Sequence, residues 1–260
     1  MPALLALIAV TAVWGLTFVQ VKDAVELYPL FAFLAVRFLI ASVVLAVPAR
    51  GRMGALGRPG WVAGASLGLL LALGYAFQTA GLERTTVGRS VWIGVALAVA
   101  GLAMLSGVGA GDPVGDLLVL AGSAAYSLQI VLMERYAPRY DPVAFTQAEM
   151  LAAFAGFAVV TVALGQVEVP RGWTVWGALL VTGVFASALA FLVQTWAQRR
   201  TTATKTALAF AMEPVFAGIF GFWLAGDRLG ALGWAGCALI MGGILVAEPE
   251  AGRTLRRLLR

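Results

Sequence analysis

The chain has no histidine, one cysteine and few charges: 12% of its residues are charged and 61% are apolar. Without histidine, the usual metal ligand and the usual proton carrier near neutral pH are missing. Serine and zinc proteases of the familiar kinds are thereby excluded, and no metal or cofactor is expected. Cys237 stands alone within an apolar run, so no disulfide can close inside the chain. The longest polar gap, Pro48 to Gly60, leaves no room for a soluble domain. The net charge of +5 comes from arginines in a few loops and the tail, with no interleaving of basic and aromatic residues, so no nucleic-acid partner is expected. No basic region precedes the first apolar run, which favours a first spanning helix over a cleaved signal peptide.

Long apolar runs dominate instead. A mean hydropathy of +0.92 lies far from soluble domains, in which roughly a quarter of the residues are charged. The pattern predicts an all-α integral membrane protein with nine visible spans: Ala3 to Val21, Leu30 to Val47, Trp61 to Ala80, Ser90 to Ser106, Gly115 to Met133, Val143 to Leu164, Trp173 to Trp196, Ala203 to Trp223 and Leu229 to Val246. Pro48, Pro113, Pro138, Pro142 and Pro170 lie between or at the edges of these runs, as helix boundaries require. Gly64 and Gly68, four residues apart, suit a close helix crossing, although plain packing is the preferred reading of such a pair.

The run from Ala203 to Trp223 carries Glu213 and Pro214 near its middle. An isolated charge at midplane depth costs about 2.5–3.5 kcal/mol on insertion scales, so such a residue faces a cavity, a partner or a pathway. Pro214 cannot donate to the Phe210 carbonyl four residues back. The plain alternative is a proline kink with a protonated, hydrogen-bonded glutamate.

Two matched segments reveal an internal repeat. FQTAGLERTT aligns with VQTWAQRRTT, placing Gln78 on Gln194 at an offset of 194 − 78 = 116. SVWIGVALAVAG aligns with LGWAGCALIMGG, placing Trp92 on Trp234 at an offset of 234 − 92 = 142. The difference, 142 − 116 = 26 residues, is about one span with its turn, so the first half lacks a counterpart of Ala203 to Trp223. Upstream, WGLTFVQVK aligns with YSLQIVLME, which puts Arg37 on Glu149. Residues 1–110 and 111–250 are therefore read as two repeats, of four and five helices, with 251–260 as a basic tail.

If each half once had five helices, the second is inverted relative to the first. Arg50, Arg52, Arg58, Arg89, Arg135, Arg139, Arg199, Arg200, Lys205 and the four tail arginines then share one side, against Lys22, Arg84, Arg171 and Arg228 on the other. That bias marks the first side as cytoplasmic. Threading only nine helices from a cytoplasmic N-terminus reverses the bias, so one half would be wrongly oriented or the segment Thr85 to Arg89 bridged unusually.

These residues resemble the EamA-type transporters of the drug/metabolite transporter superfamily. Trp14 and Gly15 in the first helix, Pro29, Phe33 and Arg37 around the second, GLERTT after the third, and MEPVFAGIFGFWLAGDRLGALGWAGCALIMGGILV carry the likeness over nearly the whole chain. Asp227 stands where the family's turn usually has glutamate, and the fourth of the usual ten helices is missing. The resemblance implies two inverted repeats around a cavity that passes small organic molecules, often outward, such as metabolites, amino acids or drugs. It also implies a bacterial plasma membrane, with the C-terminus cytoplasmic by the charge bias.

Candidate cavity residues are Trp14, Arg37, Tyr75, Gln78, Tyr126, Glu149, Gln194, Trp196, Glu213 and Pro214. Arg37 and Glu149, as repeat mates near midplane depth, are expected to relieve each other's burial as an ion pair; snorkelling or other partners is the alternative. Gln78 and Gln194 could line a cavity or simply join helices. Trp61, Trp92, Trp173 and Trp234 fit an interfacial belt better than a cavity. Gln20, Gln129 and Gln147 add polar faces, and Glu149 and Glu213 are the carboxylates placed to carry a coupled proton. The tail, Arg253 to Arg260, reads as a solvated topogenic segment or a short helix on anionic lipid.

Two rivals remain beside transport. GAGD at Gly109 and the pair Tyr140 and Asp141 mimic intramembrane aspartyl protease motifs, but in reverse order and beside prolines in loops, where no shared acid pair can form within the membrane. A helix-deleted chain could instead insert without transporting, or be completed by a second copy in a homodimer.

Overall fold

The computed structural model describes residues 2–82, 113–225, 230 and 234–238. Membrane-length apolar segments must satisfy their own backbone polar groups, and helices do so within one segment. The helices are α1 (Pro2–Leu27), α2 (Leu30–Ala49), α3 (Gly57–Leu82), α4 (Pro113–Tyr136), α5 (Pro142–Ala163), α6 (Trp173–Gly183), α7 (Ala190–Gln198), α8 (Ala203–Phe210) and α9 (Glu213–Phe220). Seven of the nine expected spans coincide with them. The span Ser90 to Ser106 and the arginine tail lie outside the described residues, as does most of Leu229 to Val246. Five described stretches are long and apolar enough to cross a membrane, among them Leu30–Ala49 and Pro142–Ala163.

Two spans are interrupted. A π-helical turn, Val184–Leu189, joins α6 to α7 without a change of direction, and a two-residue break at Ala211 and Met212 separates α8 from α9. Pro214 sits in the first turn of α9, where its missing N–H is no loss. The kink expected at Pro214 is thus a break followed by a restart.

Contacts fix the direction of each helix. Tyr28 donates to the Glu168 carbonyl at 2.7 Å, so the α1–α2 turn and the α5–α6 link share one end. At the other end Arg52 meets Asp141 at 3.2 Å, and Glu134 accepts from the Ala203 N–H at 2.6 Å. Arg50, Arg52, Arg58, Arg135, Arg139, Arg199 and Arg200 gather at this second end, with Arg171 opposite. Helices α1, α2 and α3 therefore each run opposite to their respective mates α4, α5 and the α6–α7 span, the relation of inverted repeats.

Helix α3 lies antiparallel to α4: Gly74 meets the Tyr126 ring, and Gly122 meets the Gly74 carbonyl and the Gln78 N–H. The end of α3 and the start of α4 are consequently on the same side. That placement has the parity of the intact ten-helix plan, and it keeps the arginines of both halves together. The nine-helix threading would instead put the start of α4 among the arginines.

The main core lies between α2, α3, α5 and the π turn with α7, where Phe38, Phe157, Met150 and Leu71 are fully or almost fully buried. Asp141 caps α5 by accepting from the Val143 and Ala144 N–H groups, both at 3.0 Å. Its ion pair with Arg52 is half-exposed, and such pairs contribute about 0–1 kcal/mol. Asp141→Ala is therefore expected to lower stability by about 1 kcal/mol through the lost cap. Arg52→Ala should change it by less than half that. Thermal melts of the two purified variants test the order, and a larger loss from Arg52→Ala would refute it.

Candidate functional site

The π turn organises the site. A π turn inserts one residue into the helical ladder and re-aims backbone groups, often at functional positions. Here the Ala186 carbonyl accepts from two side chains of the first half: Trp14 Nε1–H at 2.8 Å and an Arg37 terminal N–H at 3.1 Å. Arg37 Nε–H also donates to Ser187 Oγ at 2.7 Å. Arg37 is 5% exposed, at the eighth residue of α2, so these bonds replace hydration that the helix removes.

Aromatic rings enclose the guanidinium. Its centre stands 5.6 Å from the Phe38 ring and 5.7 Å from the Tyr75 ring, within cation–π range. Tyr75 stands edge-on to Tyr126 at 5.5 Å, and Tyr126 O–H approaches Gln78 Oε1 at 3.4 Å. Trp14 packs on Phe191 and Phe210 with ring centres 5.7 and 4.8 Å away. Phe210 ends α8, and Glu213 opens α9 just beyond it. Arg37 acts electrostatically on both Glu213 and Tyr126 without an ion pair to either. Trp14, Arg37, Tyr75, Gln78, Tyr126, Glu213 and Pro214 thus belong to one neighbourhood, between α1, α2 and α3 on one side and α4, the π turn and the broken α8–α9 span on the other.

Glu149 does not join Arg37. The fully buried Glu149 accepts from Gln129 Nε2–H at 2.7 Å through Oε1, and its Oε2 has no partner among the described residues. Gln194 donates to Gln129 Oε1 at 3.2 Å and to Gln198 Oε1 at 2.9 Å, and Gln198 donates to the Ile130 carbonyl at 2.9 Å. These residues form a separate polar cluster that ties α4, α5 and α7 together. The expected Arg37–Glu149 ion pair is corrected: equivalence in the repeat gives matching positions, but each half packs its own mate in different company. Trp196 also stands apart, 4.5 Å below the Arg200 guanidinium and packed with Ala3, Leu7, Ala197 and Ala209 at the arginine-rich end.

Ser187 and Ala186 were not legible as partners of Arg37. VFASAL is a continuous small and apolar run with nothing to mark a π turn, and half of the Arg37 recognition is a backbone carbonyl. Gln129 and Gln198 left a weak signal, as polar residues on otherwise apolar helices. Trp61, Trp173 and Trp234 are exposed, as interfacial residues should be.

Membrane-length helices in two sets, each helix of one set running opposite to its mate in the other, with charged and aromatic side chains where the sets face each other, are the arrangement of a helical membrane transporter. The model of the EamA-like transporter family matches residues 1–106 and 113–247, and the chain belongs to that family. It is 28% identical to an uncharacterized transporter of Archaeoglobus fulgidus, over 94% of this chain and 85% of that one. It is 27% identical to the uncharacterized inner membrane transporter YedA of Escherichia coli K12, over 93% and 89%. A crystal structure 22% identical to it superposes with a TM-score of 0.80 over 97% of this chain and 98% of the other, which establishes the shared fold.

Proposed function

We propose that this chain is a secondary transporter that exports small organic metabolites, amino acids or drugs by alternating access between residues 1–110 and 111–250. The observation that carries the reading is Arg37, held by the Ala186 carbonyl and Ser187 among the Phe38 and Tyr75 rings, with Glu213 at the break between α8 and α9 within its electrostatic reach. A cation and a carboxylate within electrostatic reach, walled by Trp14, Tyr75 and Tyr126, suit a small zwitterion or a polar metabolite with an apolar side. Amino acids are therefore the first class to test. The arginine-rich end is assigned to the cytoplasm of a bacterial plasma membrane.

Glu213 accepts no hydrogen bond among the described residues, so Glu213→Gln removes its charge with little effect on packing. Uptake of a radiolabelled amino-acid panel into inside-out vesicles should fall about tenfold, the factor that 1.4 kcal/mol represents, with an unchanged melting temperature. Equal rates for the two proteins would remove Glu213 from the substrate site. A wild-type chain that moves nothing in a broad panel, as does a version with 26 residues added to the first half, would favour a membrane protein without transport activity.

A further inference from the structure

At the arginine-rich end a crevice of about 450 Å³ opens between the start of α3 and the end of α4. Its mouth holds Arg58 and Arg139, with Tyr136 and Tyr140 beside them, and its deeper wall is Val62 and Leu132. Among the described residues the ion pair is Arg52 with Asp141, so neither Arg58 nor Arg139 has a carboxylate partner. The Arg139 guanidinium lies 5.6 Å from the Tyr136 ring and Arg135 lies 5.8 Å from it, which adds positive charge, while the acids at this end, Glu134 and Asp141, are engaged by the Ala203 N–H and by Arg52.

The crevice is graded along the helix axis. Arg58 is in the first turn of α3, and Val62 and Ser66 follow one and two turns inward, about 6 and 12 Å deeper. Ser66 spends its hydroxyl on the Val62 carbonyl, so the inner part offers little polarity. Val62 and the α4 residues Leu128 and Val131 are exposed apolar side chains, as residues touching acyl chains would be. A positive mouth with phenol groups above an apolar floor matches a phosphate headgroup with its acyl chain below, and basic pockets between spanning helices on the cytoplasmic side hold anionic lipids by this arrangement.

We infer that the crevice between α3 and α4 binds an anionic phospholipid of the cytoplasmic leaflet, with the phosphate at Arg58 and Arg139 and one acyl chain along Val62 and Leu132. The site is separate from the Arg37 neighbourhood, and its occupancy does not depend on what the protein transports.

Intact-protein mass spectrometry of the full chain, released from detergent with added phosphatidylglycerol or phosphatidylcholine, reads this directly. Phosphatidylglycerol should be retained as a discrete adduct and phosphatidylcholine should not. Loss of each arginine, in Arg58→Gln and Arg139→Gln, should weaken retention about fivefold, the effect of one basic residue at an anionic surface. Val62→Trp, which fills the crevice and keeps every charge, should also lose the adduct. Arg50→Gln with Arg199→Gln, a larger loss of charge elsewhere at the same end, should keep it. The proposal is overturned if phosphatidylcholine is retained equally, if the control pair loses the lipid as fully, if Val62→Trp retains it, or if glycerol phosphate without acyl chains displaces it at equal concentration.

Discussion

Arg37→Ala is expected to abolish transport and to cost more stability than any other single polar change in the bundle. The substitution removes the donors that hold Ser187 Oγ and share the Ala186 carbonyl, and hydrogen bonds to a charged group contribute about 1.5–3 kcal/mol each. It also removes the cation beside Tyr75 and leaves Glu213 without the positive group that acts on it. Arg37→Lys keeps the charge but presents a point cation in place of the planar fork that reaches two acceptors at once. Lysine should therefore recover part of the melting temperature and little of the transport. Vesicle uptake and detergent melting curves, measured on the same preparations, test both statements. Full transport by Arg37→Ala would separate the arginine from the substrate pathway altogether.

Gly68→Ala is the second large effect, and it acts through backbone contact. A Cβ at Gly68 would strike the Glu149 carbonyl oxygen and come within 2.8 Å of Ala152 Cβ and of the Ala153 nitrogen. Two of these three atoms are main-chain, so α3 and α5 would have to separate instead of a side chain turning aside. Overpacking of this kind costs about 1–3 kcal/mol, and rigid backbone on the far side puts Gly68 at or beyond the top of that range. Gly64 and Gly156 line the same crossing, facing Ala148 and Ala72 with built contacts of 2.8 and 2.9 Å. Gly177 on α6 has nothing within 4 Å of a built Cβ and is the matched control. Gly177→Ala should fold normally, while Gly68→Ala should lose the monodisperse peak on size exclusion or melt far lower. Equal behaviour of the two variants would mean that the α3–α5 crossing is looser than its contacts indicate.

How far the sequence reached follows from what each feature depends on. Span positions were legible because hydrocarbon demands long apolar runs, and the first residues of α2, α6 and α8 coincide with those expected. The break before Glu213 was signalled by Pro214, whose ring has a local and fixed effect. The Gly64 and Gly68 crossing was visible as small residues on one helix face, although nothing local showed that Glu149 lies opposite. The partner of Arg37 was out of reach because it is a carbonyl and a serine in a helix irregularity that leaves no mark in VFASAL. The repeat supplied a plausible partner, Glu149, and here symmetry misled. Charges that match across a repeat share a depth in the membrane, but the neighbours that receive them belong to each half's own packing. The arginine distribution proved more instructive than the helix count, since it agreed with the inverted arrangement that the ends of α3 and α4 require.

The π turn at Val184–Leu189 also sets the register of everything after it. A helix turns about 100° per residue, so one inserted residue rotates all following side chains by that amount around the axis. Gln194, Thr195 and Gln198 come after the insertion, and they face the amides of α4 and the threonine of α5 because of it. Upstream, the same insertion delivers Ala186 and Ser187 to Trp14 and Arg37. One extra residue therefore lets a single span address two partners in different directions, with Ala186 and Ser187 turned to the opposite repeat and the amides of Gln194 and Gln198 turned to their own.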